Sequence, residues 1–108
     1  MKIDIKQILF LHPRLRELLQ WVEEATGLEP TITSLYRIGD PGVHGCLPVR
    51  GADIRCRDKN LGLKIVRLVD LNWSYDKKRP NISCALLHGE GWNLHIHLQV
   101  HDMTGTRR

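Results

Sequence analysis

Aromatic residues are scarce: Phe, Trp and Tyr make up 6% of the 108 residues. A nucleic-acid-binding face that stacks bases on aromatic rings needs more than that, so no nucleic-acid partner is expected. Long apolar runs are also missing. None approaches the about 20 residues that carry a helix across a bilayer, so no membrane partner is expected either. The cysteines Cys46, Cys56 and Cys84 are odd in number and form no CxxC pair. That pattern argues against a disulfide scaffold and fits a reducing compartment; they are expected as small buried hydrophobes. The opening residues Met1-Lys2-Ile3-Asp4-Ile5-Lys6 alternate charged and apolar groups and lack the continuous apolar stretch of a signal peptide. The expectation is a chain made and kept in a cytoplasm, or leaving it by a route not written in the sequence.

What is present describes an ordinary globular protein. Hydrophobic residues are 42% and charged residues 26%, and the length fits a single domain over 1–108. The net charge of +4 permits an anionic partner. Part of the excess is the terminal Arg107-Arg108, and no basic stripe interleaved with aromatics appears.

From Leu11 to Ala25, apolar residues fall at 11, 15, 18, 19, 22 and 25, the spacing of one helical face. Pro13 suits the first turn, and Gly27 marks the end. His12, beside Pro13, is expected to be exposed. Thr31 to Tyr36 is rich in β-branched residues and reads as a strand. A glycine- and proline-bearing loop, Arg37 to Pro48, carries His44. Val49 to Arg55 reads as a second strand. Asp58 is the expected N-cap of a second helix reaching about Trp73. Its core stripe is 61, 65, 68 and 69, widened by 63, 66 and 71. Ser74 to Pro80 reads as a loop. Ser83 to His88 and Leu94 to His101 read as two strands joined hairpin-fashion through Gly89-Glu90-Gly91-Trp92-Asn93. This order predicts an α+β fold: a mainly antiparallel four-stranded sheet with two helices packed on one face.

The last strand carries the chemistry. Side chains alternate along a strand, so Leu94, Ile96, Leu98 and Val100 should face the helices. His95, His97, Gln99 and His101 should share the other face. Four of the six histidines lie within 88–101. Upstream, the loop offers His44 and the second strand offers Asp53. Two imidazoles and a carboxylate are the donor set of open catalytic zinc sites, which keep a fourth position for water.

These segments resemble a known family. Thr33-Ser34-Leu35-Tyr36-Arg37, then His44 through Gly51-Ala52-Asp53-Ile54-Arg55, then Leu94-His95-Ile96-His97 are similar, in order, to motifs of the zinc D-Ala-D-Ala carboxypeptidase and hedgehog-type superfamily, which includes phage endolysins. The resemblance implies zinc on His44, Asp53 and His97, on the sheet face away from the helices. It implies a catalytic His95 that stays off the metal and an Arg37 that contacts the substrate's carbonyl or carboxylate. The implied activity is hydrolysis of peptidoglycan peptide bonds at the cell wall or in the periplasm. Two departures stand out. Eight residues separate His44 from Asp53, more than the family's usual interval, and Leu94 stands where many relatives carry a catalytic Glu. The chain is thereby expected to be of the His-based variety or inactive, with Glu90 of the hairpin as a substitute carboxylate set against its reading as a solvated turn residue.

Tyr36 and Trp92 flank the site in sequence and are candidates to line a substrate groove, with the edge of the core as the alternative. Trp21 and Trp73 are expected in the core. His88 and His101 are expected behind the metal's ligands at most, with His88 competing as a ligand if the strand register differs by one residue. A non-catalytic zinc-binding module of the same fold is the competing functional reading. The sequence is silent on oligomeric state.

Overall fold

The computed structural model describes residues 11–36 and 49–107, with the side chains of Ser34 and Tyr36 left out of the description. The element order is α1 (Pro13–Thr26), β1 (Ile32–Tyr36), β2 (Gly51–Arg55), α2 (Lys59–Asn72), β3 (Trp73–Ser74), β4 (Ala85–His88), a 3₁₀ turn (Gly91–Asn93), β5 (His95–Gln99) and β6 (Gly105–Thr106). The expected α+β class holds. Strands β1, β2, β5 and β4 form, in that order, a four-stranded sheet in which every neighbouring pair is antiparallel.

Both helices form where periodicity and caps place them. Leu15, Leu18, Leu19 and Val22 make the buried face of α1. Gly27 closes the helix in the left-handed region at φ 69, where a Cβ would be strained, and its N–H bonds Glu23 C=O. Asp58 caps α2, its carboxylate accepting from the Asn60 and Leu61 N–H groups. Ile65 and Val69 face inward.

The widened stripe on α2 is realised only at Val66, which packs half-buried against the core, and Leu61 of the inner stripe is exposed in the first turn. Leu63 and Leu71 are exposed, because at 100° per residue they sit roughly 160° and 120° from Ile65. The helix also stops one residue short of Trp73, which begins β3. That strand pairs antiparallel with β6 through Trp73↔Thr106 and Ser74↔Gly105.

The core lies between the helices and one face of the sheet. Ala52 and Ile54 of β2, Ala85 of β4, and Ile96 and Leu98 of β5 join the α1 and α2 side chains in a single buried cluster. Burial alternates along β5, with Ile96 and Leu98 buried and His95, His97 and Gln99 half-buried. Trp73 is in this core, and Trp21 packs against it edge-on at 6.2 Å between ring centres. Cys56 and Cys84 are buried free thiols, as expected; Cys46 lies outside the described residues. Among the described residues, no helix is long and apolar enough to cross a membrane.

His12 is buried, contrary to expectation. It is the N-cap of α1: its Nδ1 accepts the Arg14 N–H at 3.0 Å, which leaves the proton on Nε2, donated to Asp102 Oδ1 at 2.9 Å. Asp102 also pairs with Arg50 at 3.2 Å. A partner 90 residues away leaves no local sequence signal.

Candidate metal and catalytic site

The two central strands set the site. The β2–β5 register places Asp53 opposite His97 and Arg55 opposite His95. Directly opposed residues of an antiparallel pair project to the same side, with Cβ atoms about 5 Å apart. Asp53 and Arg55, two apart on β2, therefore share the helix-free face with His95 and His97.

Asp53 is only 7% exposed. A buried carboxylate is costly unless it is paired, and its pairing here is with imidazoles. His97 Nδ1 lies 3.0 Å from Asp53 Oδ1, where its N–H donates in the absence of a metal. His95 Nε2 lies 3.7 Å from Asp53 Oδ2. The other ring nitrogen, His95 Nδ1, is 2.6 Å from the Asn93 carbonyl. A carbonyl only accepts, so Nδ1 carries the proton, and Nε2 is the ring nitrogen turned towards Asp53.

The turn before β5 makes this possible. Gly89 has φ 82, and a Cβ there would strike the backbone carbonyl of Asn93. Only glycine lets the chain fold back close enough to bring that carbonyl under His95.

His88 completes the imidazole group. It is the cross-strand partner of His95 on β4. Its ring stacks on His97, 5.8 Å between centres and 6° between planes, and meets His95 edge-on at 5.7 Å. Spacing within 88–101 hints at such clustering, but the stack depends on the β4–β5 register, which no local pattern supplies. His101 lies past the end of β5, against the Tyr75 ring.

The structure therefore brings together Asp53, His95 and His97. His44 and Arg37 lie outside the described residues, as does the side chain of Tyr36 at the end of β1. Trp92 projects from the 3₁₀ turn, fully exposed, and is not at the edge of the core. Among the described residues, no three His, Cys, Asp or Glu side chains converge to hold a metal ion. Two of the three implied ligands do meet. In a tetrahedral zinc site with bonds of about 2.1 Å, neighbouring donor atoms sit roughly 3.4 Å apart. The 3.0 Å between His97 Nδ1 and Asp53 Oδ1 is shorter than that and is the length of an ordinary N–H···O hydrogen bond.

No family model matches the chain, and neither a curated protein nor a solved structure matches it.

Proposed function

We propose that the chain is a zinc-dependent peptidase of the D-Ala-D-Ala carboxypeptidase and hedgehog-type kind, hydrolysing peptidoglycan peptide bonds. The observation that carries this reading is the Asp53–His97 pair at 3.0 Å, with His95 Nε2 3.7 Å from the same carboxylate, on the sheet face that the helices leave uncovered. A purely structural metal site has no need for a second imidazole held in one tautomer next to its ligands.

In this reading His44, Asp53 and His97 hold the metal. A zinc ion so bound supplies a Lewis acid and a water acidic enough to ionise near neutral pH. His95 takes up the proton from the attacking water at Nε2 and returns it to the leaving amine. The Asn93 carbonyl keeps its other nitrogen protonated throughout. Arg37 is the residue assigned to the substrate's carbonyl or carboxylate, where a guanidinium would balance negative charge as it develops. No carboxylate is available at position 94, so the proton traffic falls to His95.

The test is turnover of cross-linked wall peptides by the zinc-loaded chain and two variants. His95→Ala is expected to keep its metal and lose about 10²–10⁴ in rate, the usual contribution of general acid–base catalysis. His97→Ala is expected to lose both. Release of the metal by His95→Ala would overturn this division of roles. Stoichiometric zinc without turnover would favour the non-catalytic module.

A further inference from the structure

Beside the site, the end of the sheet opens into a cleft of about 630 Å³ lined by Arg55, Cys56, Arg57, Gly91, Trp92 and Leu94. Three of its features point to a ligand. Arg55 stands opposite His95 in register, so its stem starts on the same face as the proposed catalytic imidazole. Neither Arg55 nor Arg57 has a carboxylate partner among the described residues, as is also true of Arg16 and Arg67, but these two stand together in one cleft. The Trp92 indole stands fully in solvent at the rim, 102% exposed. The bare indole and the two arginine side chains line one cleft, so an apolar face and positive charge are offered together. This is the pairing that recognises an acidic group attached to a flat or apolar body: the guanidinium fork takes the carboxylate, and the ring takes the face.

We propose that this cleft is a substrate subsite for a carboxylate-bearing portion of the peptide, with the carboxylate between Arg55 and Arg57 and the adjoining apolar face on Trp92. This deepens the peptidase reading and rests on it for the identity of the ligand. It adds a second recognition point to the one assigned to Arg37. The cleft lies at the His95 end of β5, so a substrate anchored there passes His95 before it reaches Asp53 and His97. The specificity that follows is for acidic over amidated peptides.

The experiment compares a wall tripeptide carrying free carboxylates with the same tripeptide fully amidated. Binding to the full chain is read by tryptophan fluorescence, and kcat and KM by turnover. The free acid is expected to bind about three- to tenfold more tightly, with the margin shrinking as salt is raised. Arg55→Gln and Arg57→Gln are expected to erase that preference and raise KM while leaving kcat and the melting temperature unchanged. Trp92→Ala is expected to weaken both peptides alike. Equal binding of acid and amide, or a preference that survives in both arginine variants, overturns the subsite. The two proposals fail separately. A chain that prefers the acid without any turnover keeps the subsite and loses the peptidase. A chain that turns over wall peptides with unaltered KM in the arginine variants keeps the peptidase and loses the subsite.

Discussion

At the scale of single residues, the chemistry was partly legible and partly hidden. Alternation along Leu94 to His101 is a strict physical signal, because a strand cannot point adjacent side chains the same way. It correctly placed His95 and His97 together on the face opposite Ile96 and Leu98. Asp53 was legible as a strand carboxylate but not as a buried one. Its burial depends on which strands flank β2, and that is not written locally. His12 shows the same limit from the other side: next to a proline it reads as surface, yet the cap it forms and the distant Asp102 enclose it. Cys84 yields a prediction at this scale. Burial, with the negative charge of Asp70 nearby, pushes its thiol up from 9.0 to about 12. The thiolate is the reactive form, so the native chain at pH 8 is expected to leave Cys84 unmodified by iodoacetamide. Denaturant should expose it to rapid alkylation. Rapid labelling of Cys84 in the folded chain, mapped by mass spectrometry, would contradict its burial.

At the scale of elements, caps and periodicity located both helices, and glycine-marked turns located the β4–β5 hairpin. The short β3–β6 pair was missed. Two-residue strands carry no period to read, and Trp73 is equally suited to the last turn of a helix. The outward leucines of α2 were misplaced by reading composition where angle decides. The Gly89 turn links element to site. Gly89→Ala would place a Cβ against the Asn93 carbonyl at a positive φ, and such strain costs on the order of 1–3 kcal/mol. The expected result is a lower midpoint in urea together with reduced activity and retained zinc, since the displaced carbonyl holds His95 and not a ligand. Unchanged stability and unchanged turnover would show that this turn does not position the imidazole.

At the scale of the whole molecule, acid stability follows from two carboxylates remote from the site. The Lys78 N–H, with Arg79 adding to it, holds Asp76 below the usual carboxylate range. The His12 hydrogen bond, followed by the Arg50 charge, does the same for Asp102. A carboxyl whose folded pKa lies below its unfolded value binds fewer protons when folded, so its contribution is complete above about pH 4. It is lost as pH falls through the lower folded value. Asp76→Asn is therefore expected to be less stable than the parent at pH 7 and to show a shallower loss of melting temperature between pH 5 and pH 2. Parallel melting curves for the two proteins across that range would contradict the role given to Asp76.

A small domain also has little stability to spare, so a bound metal should register in its melting. On the proposed reading, zinc at about a hundredfold over its dissociation constant would add roughly 2.7 kcal/mol. For a chain of this size that corresponds to a rise in Tm on the order of 10 °C.

The claim on which the rest depends is that Asp53 and His97 hold the same metal ion. It is tested most directly by elemental analysis of the purified chain beside its Asp53→Ala, His97→Ala and His95→Ala variants. The account predicts about one zinc per chain in the parent and in His95→Ala, and none in the other two. A parent free of stoichiometric metal, or an Asp53→Ala chain that keeps a full complement, would contradict it.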